Sequence, residues 1–381
     1  MNYLTVDLYH KFNCIADSCP NTCCRGWNID IEEEIYQKMQ DNEDKLGISA
    51  EDWICPRKDA YAVKLNSDGR CPMLNENNLC KVVLSLGPSY LSKVCNTYPR
   101  MIRQYGDVIE GFVTLSCFHV VDELMSMEKV YFNFTEDGSP ISPYSYTKLY
   151  LYESSIRTNV IDLLYFFHDI SLSTRLFTSF NIINEAISNY VGDNSDFTVV
   201  QKFIDSCYEN NVMTSLDSQL QSMISESTRY QFLPQLLSVL PNAVRSDFLP
   251  DHVALITQAL EYFGKTDSEK FRKDMALFKE AMKPYEKFHT NYWVYCIFSD
   301  LLSLPDPSKI KENFLFIAIQ FCLMQLLSLA AFSQNHTLSK DEYIYIISTV
   351  NRLHHSIQKK FIDKLQENNL DNNLGILLLI V

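Results

Sequence analysis

The sequence predicts a mainly α-helical fold, with an N-terminal cysteine-rich metal-binding domain followed by a larger helical domain. Two observations favour helices: the 381 residues include only 10 glycines and 13 prolines, and apolar residues recur at three- and four-residue spacing after residue 150. The cysteines separate the two parts, because nine of the twelve lie within the first 117 residues. We place the cysteine-rich domain at 1–130, a linker at 131–150 and the helical domain at 151–381.

Composition and charge narrow the classes of function. With 46% hydrophobic and 21% charged residues, the chain has the balance of a globular protein. Its net charge of −14 disfavours a nucleic-acid partner, because phosphate binding needs a basic surface. The N-terminal stretch MNYLTVDLYHKF has neither a basic leader nor an apolar run, so we expect a cytoplasmic protein without a membrane partner. Protein partners that present lysine side chains are compatible with the negative net charge.

The first element is a dense group of thiols between Cys14 and Cys24, with the spacing C-x4-C-x3-CC. In a reducing cytosol such thiols are more often metal ligands than disulfides. The adjacent Cys23 and Cys24 direct their side chains apart, which makes one tetrahedral ion an awkward target for both. Two neighbouring sites or an iron–sulfur cluster suit that divergence better, and zinc remains an alternative. Burial of one thiol as an ordinary apolar residue is the plainer interpretation.

The cysteine motifs continue downstream in the order C-x4-C-x3-CC-x-GW, CP-x-L, LC, LG, L-x-x-VC-x-x-YPR and LSC, which spans roughly residues 12–118. This order resembles the flagellin lysine-N-methylase family, of FliB type. This part is also similar to clustered-cysteine domains that chelate zinc or iron. Weaker similarity extends to NYWVY at 291–295 and NRLHHS at 351–356.

The resemblance implies transfer of methyl groups from S-adenosylmethionine to lysines of flagellin, dependent on a cysteine-ligated metal or an iron–sulfur cluster, with 4Fe–4S favoured over zinc. Cys55 has no counterpart in the family pattern. The predicted metal ligands are Cys14, Cys19, Cys23, Cys24, Cys71, Cys80, Cys95 and Cys117. Eight thiols exceed the four that one tetrahedral centre needs, so a second site stays open.

Other polar residues in these motifs are candidates for the cofactor and the chemistry. Arg100, in YPR, could clamp the carboxylate of S-adenosylmethionine with its guanidinium, or pair locally and steady the loop. His354 or His355 could act as a base, although capping or solvated histidines are commoner. The sequence contains no glycine-rich nucleotide loop and no CxxxCxxC spacing, so the catalytic residues remain unassigned.

The elements after the cysteines are a linker and a series of helices. Residues 131–146 are rich in Ser, Pro, Gly and Asp, which is turn chemistry. Amphipathic spacing then predicts helices over 159–169, 201–208, 253–263 and 269–282. Nineteen residues at 314–332 carry no charge, which we interpret as a buried core helix rather than a membrane span.

Two other classes of function are compatible with the motifs. One is an iron–sulfur redox or sensor protein that does not methylate, and the other is a zinc-stabilised interaction module. Adjacent cysteines favour a cluster over simple zinc. The sequence does not separate a catalytic cluster from a structural one.

Overall fold

The computed structural model describes residues 2–26, 29–57, 60–136, 145–192, 195–223, 226–237, 239–240, 249–352, 358–372, 375–376 and 379. Over these ranges the protein is mainly α-helical, which confirms the helical part of the predicted fold class. The N-terminal third also contains two small sheets that the helical pattern does not predict.

The larger sheet has four strands, β1 (Asn2–Val6), β5 (Arg100–Tyr105), β6 (Val108–Val113) and β7 (Phe132–Glu136). They lie in the order β5-β6-β1-β7. β1 runs parallel to β6 and antiparallel to β7, so the chain start lies inside the sheet. A Cβ on Gly111 of β6 would lie 2.9 Å from Thr5, which explains a glycine where these strands meet. The chain therefore leaves this sheet after β1 and returns to it at β5, and the cysteines from Cys14 to Cys95 lie in the segment between these two strands.

A second sheet lies within that segment and has its own small core. Its strands, in the order β2-β4-β3, are β2 (Asp30–Ile31), β3 (Ile54–Arg57) and β4 (Ala60–Val63), and both pairings are antiparallel. Buried Met39, Trp53 and Met73 belong to a cluster separate from the main core. The short helices here are α2 (Glu33–Gln40), α3 (Glu43–Leu46), α4 (Ala50–Trp53), α5 (Lys81–Leu86) and α6 (Lys93–Thr97).

The other helices pack around the main core. The predicted helices at 253–263 and 269–282 lie within observed helices, and the one at 201–208 matches an observed helix to within three residues at both ends. The one at 159–169 covers only the last part of an observed helix that begins at Ser145, and it extends three residues beyond that helix. The bounds are α1 (Asp7–Lys11), α7 (Phe118–Ser126), α8 (Ser145–Phe166), α9 (Leu172–Ser188), α10 (Thr198–Cys207), α11 (Val212–Met223), α12 (Glu226–Leu237), α13 (Pro250–Lys265), α14 (Ser268–Met282), α15 (Glu286–Asp300), α16 (Ile310–Phe332), α17 (Lys340–Val350) and α18 (Gln358–Glu367).

Helix α16 forms the centre of the helical part, as the uncharged stretch at 314–332 predicts. The segment Pro307–Phe332 is long and apolar enough to cross a membrane by length and composition, but 94% of its most apolar window is buried in the protein. Helices α13, α15 and α17 pack against it. Its apolar residues are therefore explained by contacts with neighbouring helices.

The larger sheet shares its core with the helices. Val6 of β1, Val113 of β6 and Leu124 of α7 belong to the same buried cluster as the residues of α16. The segment 131–150, predicted as a linker, includes β7 and the start of α8, and residues 137–144 of it lie outside the described residues. The proposed domain boundaries stay a prediction.

A buried ion pair joins this sheet to α8. Two guanidinium nitrogens of Arg157 donate to the carboxylate of Glu110 at 2.5 and 2.8 Å. The Tyr150 hydroxyl donates to the same carboxylate at 2.7 Å. Each charge is thus held by directed hydrogen bonds, as buried charges require.

Candidate functional site

The N-terminal thiols lie in loops and at the starts of helices. Cys14 and Cys19 flank a single turn, Ala16–Ser18, that follows α1. Cys80 and Cys117 are the N-cap residues of α5 and α7. Backbone N–H groups of the next turn hydrogen-bond to the sulfurs of Cys80 and Cys117, an arrangement that favours the thiolate.

Backbone contacts bring loops distant in sequence together near these thiols. The N–H of Cys71 donates to the carbonyl of Cys24 at 2.9 Å. Cys95 lies in the first turn of α6, where the Ser92 hydroxyl accepts from its N–H at 3.4 Å. All twelve cysteines are free thiols.

One group of thiols consists of Cys14, Cys19, Cys23 and Cys117. The pKa of Cys117 is raised to about 11, first by burial and also by the charges of Cys19 and Cys14. The pKa of Cys19 is raised by burial and by the charge of Cys14. The pKa of Cys23 is raised first by its hydrogen bond to Cys24 and then by burial, with further contributions from Cys117 and Cys14. These four sulfurs therefore act on one another electrostatically.

A second group consists of Cys24, Cys71, Cys80 and Cys95. Burial raises the pKa of Cys71 to about 12, and the charges of the other three add to this effect. Burial of its sulfur raises the pKa of Cys95 to about 11, with contributions from Cys24 and Cys80. The pKa of Cys80 is raised by burial and by Cys24.

The adjacent Cys23 and Cys24 link the two groups. The thiol of Cys23 donates a hydrogen bond to the sulfur of Cys24, which lowers the pKa of Cys24 to about 7. Each group has the four thiols that one tetrahedral ion or one four-iron cluster takes, so the donor chemistry fits either. Over the described ranges, no set of three or more His, Cys, Asp or Glu side chains is arranged to hold a metal ion directly. Metal binding stays a prediction.

Cys55 lies apart from both groups. Its sulfur donates to the carbonyl of Ala62 at 3.6 Å within the β3–β4 pair. Cys207, Cys296 and Cys322 are buried in the helical part.

Arg100 anchors the segment that leads to the first thiols. Its Nε donates to the carbonyl of Tyr9 at 2.9 Å, and one terminal nitrogen donates to the carbonyl of Phe12 at 2.6 Å. Phe12 directly precedes the Asn13–Cys14 dipeptide, so Arg100 positions the start of the cysteine loop. Its contact with a cofactor stays a prediction.

Residues of the helical part contact the loop of adjacent cysteines. Arg25 donates to both oxygens of Asp251 at 3.0 and 3.3 Å, and the Tyr345 hydroxyl donates to Asp251 at 2.9 Å. A Cβ on Gly69, whose φ is +78°, would lie 2.5 Å from a methyl carbon of Leu249. The glycine therefore permits close packing of the loop on the start of α13.

A row of hydroxyl groups borders the first thiol group. The Tyr98 hydroxyl lies 3.2 Å from that of Ser116, which lies 3.0 Å from that of Thr114. Burial raises the pKa of Tyr98, and the nearby charge of Cys117 acts in the same direction. The Nε of Arg352 donates to the carbonyl of Ser116 at 3.2 Å.

Sequence reasoning missed the roles of several of these residues. Tyr98 stands in the quoted YPR motif, so the motif itself was the available signal. Asp251, Tyr345 and Arg352 lie more than 200 residues from the thiol loop; Arg352 stands in the quoted NRLHHS motif, and no local pattern marks the other two. His354 and His355 lie outside the described residues.

A cavity of about 920 Å³ lies in the helical part. Its walls come from the ends of α8 and α14 and from the starts of α9 and α15. Glu128 and Lys129, which follow α7, also line it. Because Cys117 is the N-cap residue of α7 and a helix rises about 1.5 Å per residue, the cavity lies roughly one short helix from the first thiol group.

Comparison with known proteins identifies the helical part. The profile of the FliB lysine N-methylase C-terminal domain matches residues 157–379, more than half of the chain. The flagellar biosynthetic protein FliU of Salmonella muenchen is 30% identical over 121 residues, which cover 72% of that protein and 30% of this chain. No solved structure matches the chain.

Two longer relatives are lysine-N-methylases. That of Salmonella typhimurium is 28% identical over 146 residues, and that of Salmonella choleraesuis is 28% identical over 145 residues. Each match covers 35% of this chain and 36% of the relative. The chain thus spans about a third of the length of these two relatives.

Proposed function

Because the chain belongs to the family of FliB-type lysine N-methylases, we propose that it transfers methyl groups from S-adenosylmethionine to lysine side chains of flagellin. The profile match over 157–379 carries this proposal. The lysine-N-methylase names of two relatives support the reaction, and the flagellar name of a third supports a flagellar substrate. The cytoplasm is the proposed compartment, since its reducing conditions preserve free thiols.

The reaction sets requirements on the protein. A methyl group passes from the sulfonium to the lone pair of a neutral amine, which leaves S-adenosylhomocysteine and releases the proton that the lysine ammonium carried. The site must therefore deprotonate or desolvate the lysine and align it with the donor. Arg100 is one proposed contact for the donor carboxylate, through guanidinium nitrogen atoms beyond those that hold Tyr9 and Phe12.

The two thiol groups are the proposed ligands of iron–sulfur clusters, with 4Fe–4S favoured and zinc as the alternative. One centre would use Cys14, Cys19, Cys23 and Cys117, and the other Cys24, Cys71, Cys80 and Cys95. When bound, a cluster supplies electron exchange and zinc supplies structural cross-linking. The chain's own contribution is to hold the two loops together, through Arg100 on one side and the pair of Arg25 with Asp251 on the other.

The test of the reaction uses the whole protein, purified and reconstituted without oxygen. It is incubated with flagellin from the same organism and labelled S-adenosylmethionine, and flagellin lysines are mapped by mass spectrometry. We expect gains of about 14 Da per methyl group, lost in a Cys95→Ser variant that still folds. A protein that carries metal but leaves flagellin unmodified and binds no S-adenosylmethionine would support the redox or sensor class instead.

A further inference from the structure

The lining of the 920 Å³ cavity carries an excess of positive charge, although the whole chain has a net charge of −14. Three carboxylates line it: Glu128, Asp169 and Glu286. Six cationic side chains line it: Lys129, Arg175, Arg229, Lys279, Lys283 and Lys287. Among them, Lys287 contacts Glu128 and Lys283 contacts Glu280, each at 2.6 Å. A lining with both positively and negatively charged side chains suits a ligand that itself carries charges of both signs.

Arg175, in the first turn of α9, is the buried cation of this lining. It is 5% exposed, and one terminal nitrogen donates to the carbonyl of Leu164 at 2.5 Å. Its Nε is buried and has no hydrogen-bond partner among the described residues. No carboxylate of the described ranges forms an ion pair with it, which is unusual for a buried guanidinium. A guanidinium in this state favours a ligand that supplies a carboxylate.

Carboxylates of the protein lie near Arg175 without pairing with it. Burial lowers the pKa of Arg175 to about 10, and the charges of Asp169, Glu286 and Asp217 oppose that shift. Asp217 is already engaged, because it accepts from the hydroxyls of Ser171 and Thr174. Asp169 and Glu286 are exposed at the cavity and remain able to receive an ammonium group.

The rest of the cavity can hold an apolar or ring-shaped portion of a ligand. Phe278, Met282 and Phe321 provide apolar walls. Its inner end holds His289, whose Nε2 lies 2.8 Å from the Tyr343 hydroxyl and 3.3 Å from the Gln325 amide. The volume falls within the 300–1,000 Å³ that sites for small molecules and cofactors occupy.

As the alternative to Arg100 for the donor carboxylate, we propose that this cavity binds the methyl donor by its amino-acid end, with the carboxylate on Arg175 and the ammonium group toward Asp169 and Glu286. The inference rests on the proposed function, because S-adenosylmethionine joins an α-amino acid to a nucleoside. Arg175, Asp169 and Glu286 all lie within the matched residues 157–379.

The test compares two nucleosides on the whole protein by calorimetry. S-adenosylhomocysteine keeps the amino-acid group, whereas 5′-methylthioadenosine lacks it. We expect the unmodified protein to bind S-adenosylhomocysteine at least about tenfold more tightly, which corresponds to about 1.4 kcal/mol, since only this nucleoside can make the bidentate charge-assisted contact. Arg175→Gln should abolish this preference with little effect on 5′-methylthioadenosine, and Arg175→Lys should restore part of it.

Matched variants separate a ligand contact from loss of folding. Glu286→Gln should weaken S-adenosylhomocysteine binding without disturbing the Leu164 contact, while Glu280→Gln and the exposed Arg272→Gln should leave it unchanged. The inference is overturned if Arg175→Gln and Glu286→Gln both keep the preference, or if the unmodified protein shows none. If both variants keep the preference but the same preparation methylates flagellin, the proposed function is still supported. Absence of both methylation and nucleoside binding would overturn the proposed function as well.

Discussion

At the scale of single residues, two adjacent thiols have opposite electrostatic roles. Cys23 donates its hydrogen bond to Cys24, so the pKa of Cys24 falls to about 7 while that of Cys23 rises. The two sulfurs also interact electrostatically with different thiols, Cys23 with Cys117 and Cys14, and Cys24 with Cys71, Cys80 and Cys95. This division is the basis of the proposal that adjacent cysteines serve two centres.

Serine substitutions should divide the metal content between the two groups. In protein purified without oxygen, Cys23→Ser and Cys24→Ser should each remove about half of the bound metal, because each breaks one set of four ligands. Elemental analysis and assay of acid-labile sulfide measure this. Cys55→Ser, from the same part of the chain, is the control and should keep all of it. Complete loss from either single change would indicate one shared centre.

His289 should make the unfolding free energy of the protein depend on pH. Burial lowers its pKa from 6.5 to about 3, so its contribution is complete above pH 6.5 and is lost as the pH falls toward 3. The unfolded chain binds one more proton in that window, which costs about 1.4 kcal/mol of unfolding free energy per pH unit. Between pH 6.5 and 5, urea unfolding should show about 2 kcal/mol more loss for the unmodified protein than for His289→Gln. The exposed His168→Gln should follow the unmodified protein, and equal slopes for all three would contradict the assignment.

At the scale of elements, the pair of Glu110 with Arg157 connects strand β6 to helix α8. Both side chains are 3% exposed, so neither charge has water to replace a lost partner. The exposed pair of Asp30 with Arg57 joins the small sheet at 62% and 54% exposure. The two ion pairs thus have similar chemistry but differ in how far they are buried.

Removing one partner from each pair should show the difference. Glu110→Gln leaves the Arg157 charge buried without its partner, and we expect a loss of about 3–5 kcal/mol in unfolding free energy. Asp30→Asn should cost at most about 1 kcal/mol, because water solvates Arg57. Chemical denaturation of the two variants measures both values. Similar losses would show that burial is not the deciding factor.

At the scale of the whole molecule, the net charge of −14 bears on how a lysine-bearing substrate approaches. An acidic protein attracts basic surfaces over distances longer than a contact and thereby raises association rates. Exposed charges are screened beyond about 8 Å at physiological ionic strength. This long-range attraction therefore affects the association of the substrate with the protein and not the chemical step.

Salt should consequently weaken methylation through substrate capture. Raising the salt concentration from about 0.01 M to 0.5 M should raise KM for flagellin severalfold while kcat changes little, because screening acts before the complex forms. Initial rates across flagellin concentrations measure both constants. A fall in kcat at constant KM would instead place the effect of salt on the reaction itself.

Much of the helical part could be predicted because helices depend on contacts close in sequence. The spacing of apolar residues predicts α13 and α14, and the uncharged run at 314–332 predicts the buried α16. The small sheets could not be predicted in this way. β1 has five residues and pairs with strands that begin about 100 and 130 residues later, so no local pattern specifies its partners.

The same distinction holds for the candidate site. The sequence by itself determined which eight thiols are candidates, since their spacing and motifs are local features. Tertiary structure alone decided which thiols become neighbours, because each group draws on residues from loops separated by up to about 100 positions, from Cys14 to Cys117. It also decided that Arg175 is buried beside a cavity with no carboxylate partner among the described residues, a property that arises only when α9, α14 and α15 pack together. Helix periodicity reports which face is buried, but not what the opposing element supplies.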